Sequence, residues 1–169
     1  SQVTPALAGG SHEGIYLVNQ ANATLARYLI EDGNLKYQDS VPAGKRPLSI
    51  VLDPVKPFVY VADPKFQGIH FYEIGELGRL TKQPRSGEFD WMIFEASRFM
   101  AIHPNGGKLY LGQYDTSGRN CIPVCAPPKS WLSTFTILPN GFLSPEQDQD
   151  APQIPRAVAG TPDGSHLYV

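Results

Sequence analysis

The chain reads as an all-β repeat protein, and three observations predict this. Four short alternating segments share one β-branched and aromatic pattern: Ile15-Tyr16-Leu17-Val18-Asn19, Val59-Tyr60-Val61-Ala62-Asp63, Leu109-Tyr110-Leu111-Gly112-Gln113 and Leu167-Tyr168-Val169. Their tyrosines recur at spacings of 44, 50 and 58 residues, and self-similarity near ~40–50 residues marks propeller blades or a comparable array. In the last three copies a turn proline (Pro54, Pro104, Pro162) precedes the tyrosine by six residues. Glycine and proline number 16 each among 169 residues, above their combined typical share of roughly 12%. That excess suits many short strands joined by many turns.

The second copy shows the unit in full. Ser49-Ile50-Val51-Leu52 is a short apolar run suited to a strand buried on both faces. Asp53-Pro54 and Pro57 make the following turn, proline presetting φ. Phe58–Val61 is the next strand, Gln67–Ile74 a third, and Gly78-Arg79-Leu80 turns into a polar fourth, Thr81-Lys82-Gln83. Four strands of rising polarity make a blade whose outer strand faces water as an edge. The third copy repeats the order with Phe99–Ile102, the turn His103-Pro104-Asn105-Gly106, Lys108–Leu111, Ser133–Ile137 and the turn Asn140–Leu143. The fourth offers Pro155–Ala159, Thr161-Pro162-Asp163-Gly164 and Leu167–Val169. In the first, Leu25–Ile30 and the turn Asp32-Gly33-Asn34-Leu35 fill the third-strand and turn positions.

The expected organisation is a partial β-propeller over 14–169, preceded by an N-terminal extension at 1–13. Its blades fall at about 14–42, 47–84, 97–148 and, incomplete, 155–169, with insertions at 85–96 and 115–131. The first copy opens directly on a second strand, and the only upstream residues that could supply the inner one, Ser1–Gly9, have poor strand character. Three and a half blades do not close a ring, and an open edge invites aggregation. Completion is therefore expected from C-terminal blades beyond these residues or from a second chain.

Charged residues make up 18% and the formal net charge is −2, with no basic run, so a nucleic-acid partner has no electrostatic footprint. No apolar run approaches the ~18–20 residues of a transmembrane helix. Low charge, many tyrosines and the paired Cys121 and Cys125 favour an extracytoplasmic location, whether periplasmic, secreted or at the surface. Asn22-Ala23-Thr24 is a glycosylation sequon at Asn22.

The run Pro-x6-Pro-Asp-Gly-x-x-Leu-Tyr-Val (Pro155–Val169), with alternating strands ending in Gly-x-Leu, resembles the seven-bladed 6-phosphogluconolactonase-like propellers. It is similar, too, to their relatives, the YVTN-repeat surface and periplasmic propellers and the carboxymuconate-cyclising enzymes. The resemblance covers roughly 14–169 and implies that these residues form the N-terminal half of seven blades. It also implies a substrate cavity on the central axis, lined from the starts of innermost strands, where Gly-Pro-Arg-His often stands. Here those positions read Pro47-Leu48-Ser49, Ser97-Arg98-Phe99 and Pro155-Arg156-Ala157, so two arginines are kept and the histidine is absent.

Arg98 and Arg156 are accordingly the candidate substrate-binding residues, since guanidinium offers a planar fork for carboxylate or phosphate. The plainer alternative is an arginine bonding carbonyls between blades. No catalytic residue is assigned; Asp90 and Glu95 are weak acid/base candidates in a segment better read as a packed aromatic connector. His103 is read as a turn residue, His70 as a surface residue, and His12 and His166 carry no ligand spacing. No metal site and no cofactor are expected. Cys121-x3-Cys125 departs from C-x2-C metal spacing, leaving a local disulfide pinning a long loop, or two free thiols. Because loops of this length tend to be functional, Asp115–Trp131, stiffened by Ala126-Pro127-Pro128 and Trp131, is the expected protein-contact surface. Two functions stay open: a lactonase-like hydrolase or cyclase acting on or binding a small anionic lactone or sugar acid in the funnel, and a non-catalytic extracytoplasmic propeller that binds a protein or polymer.

Overall fold

The computed structural model describes residues 3–5 (backbone only), 14–64, 68–84, 99–114, 129–151 and 156–169. These residues form an all-β, partial propeller: three four-stranded antiparallel blades and a two-stranded fourth. Blade one contains β1 (Val3–Pro5), β2 (Gly14–Asn19), β3 (Thr24–Glu31) and β4 (Asn34–Pro42). Blade two contains β5 (Ser49–Leu52), β6 (Phe58–Asp63), β7 (Gly68–Ile74) and β8 (Leu80–Lys82), with a single 3-10 turn at Glu76–Gly78. Blade three contains β9 (Phe99–Ile102), β10 (Lys108–Tyr114), β11 (Ser130–Ile137) and β12 (Leu143–Asp150). β13 (Ala159–Gly160) and β14 (Leu167–Tyr168) begin the fourth. The first strands of neighbouring blades lie side by side in the order β1, β5, β9, β13.

Val3–Pro5 pairs antiparallel with Ile15–Leu17, so part of Ser1–Gly9 does supply the inner strand of blade one. The copy-three insertion is shorter than expected. β10 runs on to Tyr114, which pairs with Ser130, and Trp131 sits inside β11 opposite Gln113 and Asp150. Trp131 is thus a strand residue held from both sides.

Burial peaks on the second strand of blade two, where all six residues of β6 are buried, and not on β5, where only two of four are. Side chains alternate along a strand, and β6 sends its two sets into two different cores. Phe58, Tyr60 and Ala62, with Ile69 and Phe71, pack against Met100, Leu109, Leu111, Phe135, Ile137 and Leu143 of blade three. Val59, Val61 and Tyr72 pack with Tyr16, Val18, Leu25, Ala43 and Ile50. Each core is therefore a blade interface. Outward, the pattern turns polar: β4, β8 and most of β12 are exposed, as edge strands need to be.

Polar contacts repeat across these interfaces. Tyr16 donates its hydroxyl to Gly78 O at 2.6 Å, and Tyr60, the equivalent residue one blade on, donates to Gly141 O at 2.9 Å. Both acceptors lie in the turn before the fourth strand of the next blade. Arg27 reinforces the first contact: it is bidentate to Asp39 (Nε to Oδ1 2.9 Å, Nη2 to Oδ2 2.8 Å) and also donates to Leu77 O. At the same end of the blades, Lys56 Nζ donates to Gly106 O at 2.6 Å, and His103 Nε2 lies 3.2 Å from Gly164 O. His103 is a turn residue, as the sequence suggests, and it also reaches the next blade.

Two outcomes test this scheme. Gly141 has φ +85 and a Cβ there would lie 2.9 Å from Phe71 and 3.0 Å from Phe58, so Gly141→Ala adds overpacking to backbone strain, about 2–4 kcal/mol. Tyr60→Phe strands a buried carbonyl and costs about 1–3 kcal/mol; denaturant titration reads both, and an unchanged midpoint for either contradicts the interface. The Arg27 hydrogen bonds, with its charge adding to them, hold the Asp39 carboxyl below its ordinary range. A depressed carboxyl stabilises above its unfolded pKa and loses that contribution as pH falls through the folded one. Asp39→Asn should therefore flatten the fall in stability below about pH 4, measured by thermal melts across pH.

Candidate functional site

The crossover from β4 into β5 is anchored along its length. Ala43 N donates to Ala23 O at 2.9 Å and Leu48 N to Ala62 O at 2.9 Å. Between these ends the Asp63 carboxylate accepts the backbone N–H groups of Lys45 and, at 3.0 Å, Arg46. Asp63 is fully buried, and His70 Nε2 lies 3.5 Å from its Oδ2. Gly44 makes the wrap possible. At φ +109, a Cβ here would lie 2.0 Å from Asp63 Oδ2 and 2.7 Å from His70 Nε2.

His70 is thus buried, at 5% exposure, and not the surface residue expected from sequence. Its strand register explains this: His70 pairs with Val61 and shares the blade-one face with Tyr72, whose hydroxyl donates to Pro42 O at 2.7 Å. The arrangement recurs in blade three, where Gln113 donates to Ser133 Oγ at 2.5 Å. Asp63 and Gln113 each stand three residues after a repeat tyrosine. Their polarity at the end of an apolar strand was the signal available in the sequence.

Two cationic residues ride on the anchored crossover, Lys45 exposed and Arg46 half-buried. Arg156 is exposed on the segment leading into β13, matching their approach to β5. Arg98, Asp90, Glu95, His12, Cys121 and Cys125, with most of the Asp115–Trp131 loop, lie outside the described residues. Asn22 is exposed on the β2–β3 turn, where Asn19 Oδ1 accepts its backbone N–H at 3.3 Å.

Beyond β13, the turn Thr161–His166 gathers a serine, a histidine and an aspartate without forming a triad. A triad needs histidine between nucleophile and carboxylate. Here Ser165 Oγ is in the middle, 2.7 Å from His166 Nδ1 and donating to Asp163 Oδ2 at 2.8 Å. Hydrogen bonds from the Thr161 hydroxyl and the Ser165 backbone lower the Asp163 carboxyl to about 2. Asp163 is a turn acceptor. Among the described residues there is no group of three or more His, Cys, Asp or Glu able to hold a metal, and no helix long and apolar enough to cross a membrane.

This fold is that of solved lactonase-type propellers. The chain is similar to a provisionally assigned 6-phosphogluconolactonase from Bacteroides uniformis, with a TM-score of 0.74 and 15% identity over 96% of this chain and 45% of that one. A second such protein, from Bacteroides fragilis, matches with a TM-score of 0.71 and 20% identity over 92% of this chain and 40% of that one. A functionally unknown protein from Desulfotomaculum acetoxidans gives a TM-score of 0.65 and 10% identity, over 92% and 44% of the two chains. The chain spans less than half the length of these neighbours. The sequence matches no protein-family profile and no curated protein.

Gly44→Ala tests the anchored crossover directly. Its Cβ has no room beside a buried carboxylate and its φ is left-handed, so a loss of about 3 kcal/mol or more follows. A melting temperature within experimental error of the parent would show that the wrap is not as described.

Proposed function

We propose that the protein is a lactonase-like propeller that binds a small anionic lactone or sugar acid at the axial ends of its inner strands and opens the lactone ring. The observation that carries the reading is the cationic approach to these strands: Lys45 and Arg46 before β5 and Arg156 before β13. Arg98, which precedes β9 at the same repeat position as Arg156, extends the set. Guanidinium groups suit the carboxylate or phosphate of such a ligand. The likeness in fold to the two Bacteroides proteins supports the substrate class. In ring opening, water adds to the lactone carbonyl, the ring C–O bond breaks, and the ring oxygen leaves as a hydroxyl. The arginines would hold the anionic substituent still while this happens, a contribution through orientation.

Titration calorimetry with 6-phosphogluconate, with a parallel assay of 6-phosphogluconolactone hydrolysis, tests the proposal. Saturable binding is expected, weakened roughly 10-fold to 100-fold by Arg156→Ala, the range for losing a charged hydrogen bond. Arg98→Ala should act in the same direction. Absence of binding by the parent protein rejects the anion site, and binding without turnover rejects the hydrolase. In the latter case a role as a non-catalytic binding propeller takes its place.

A further inference from the structure

We infer that Asp63 is a positioning residue for the anion site: its buried carboxylate holds the Lys45–Arg46 crossover in the one arrangement that presents these cations beside β5. This inference rests on the anion-binding reading above and adds to it a residue that cannot touch the ligand. Asp63 is fully buried and His70 nearly so, so neither can contact a molecule in the funnel. They act through the loop.

The crossover between Pro42 and Ser49 carries four backbone hydrogen bonds to its surroundings, from Ala43, Lys45, Arg46 and Leu48. The outer two go to blade one and to β6 and would hold only its ends. The inner two go to Asp63, directly beneath the cationic residues. Buried Pro47 restricts the backbone just beyond them. Consecutive N–H groups following a left-handed residue form a concavity suited to an anion, and here Asp63 fills it from within. Burying a carboxylate is costly unless its hydrogen bonds are met, so a carboxylate at this place is explained by what it holds. A loop ordered before binding loses less freedom when the ligand arrives. The repeat places Gln113 at the equivalent position of blade three, where it bonds Ser133 inside its own blade.

The test couples amide exchange to affinity. In Asp63→Ala, hydrogen exchange at Lys45 and Arg46 should accelerate at least ~10-fold while Val59 and Val61 stay protected, as expected of local release without global opening. Affinity for 6-phosphogluconate should fall about 10-fold. Adding Asp63→Ala to the pair Lys45→Ala/Arg46→Ala should weaken binding no further, since Asp63 acts only through the two cations it positions. Asp63→Asn keeps one acceptor oxygen and should fall between; it serves for every measurement if the alanine variant does not fold. Unchanged exchange at Lys45 and Arg46 overturns the inference. So does faster exchange with unaltered affinity, or a further loss when Asp63→Ala is added to Lys45→Ala/Arg46→Ala. If the parent protein binds no 6-phosphogluconate, the anion site itself fails and the inference falls with it, whatever the exchange rates show.

Discussion

Everything in this structure depends on β6 facing two interfaces at once. A strand has two faces, and most sheets bury one and wet the other. In β6 both faces meet a neighbouring blade, the aromatic set on one side and the valines on the other. Phe58 and Tyr60 share a core with Met100, Leu109, Leu111, Phe135, Ile137 and Leu143, with Phe71 and Phe142 in edge-to-face contact at 5.3 Å. Val59 and Val61 share the other core with Tyr16, Val18, Leu25, Ala43, Ile50 and Tyr72. Each fully buried large side chain contributes on the order of 1.5–3 kcal/mol, and β6 places such residues on both sides without interruption. Neither interface could form without it.

Blade order and turn positions were legible in the sequence because they rest on local chemistry. Alternation, proline-led turns and the recurring tyrosine placed β2, β6, β10 and β14, and the polar fourth strands followed from what an edge must be. Two features depend on pairing with another strand and were hidden for that reason. Val3–Pro5 has little intrinsic strand character, and becomes a strand because β2 offers it an open ladder. Trp131 read as part of a loop because nothing local says that β10 continues to Tyr114 and draws Ser130 into register.

The candidate site divides in the same way. Arg156 could be named because the resemblance to lactonase-like propellers marks the start of an innermost strand, a position that the offset to the turn proline locates. Lys45 and Arg46 escaped that cue because they come earlier than the repeat position, which in blade two is Leu48. His70 lies in an alternating strand whose two faces look equally suitable until the register with β6 selects one. Asp63, at the end of β6, meets backbone donors supplied 17 and 18 residues upstream. No side-chain motif records such a contact, since one partner is the main chain.

That last point bears on how such a molecule can change over time. The tyrosine of one blade seeks a main-chain carbonyl in the next, and so do Arg27, Lys56 and His103. A carbonyl is present whatever residue carries it, so the neighbouring turn needs only the right backbone shape. Mutations on its surface need no matching mutation in the blade beside it. Blades joined in this way can drift apart one at a time while the array keeps its form, which is how 15% identity and a TM-score of 0.74 can belong to the same pair of proteins.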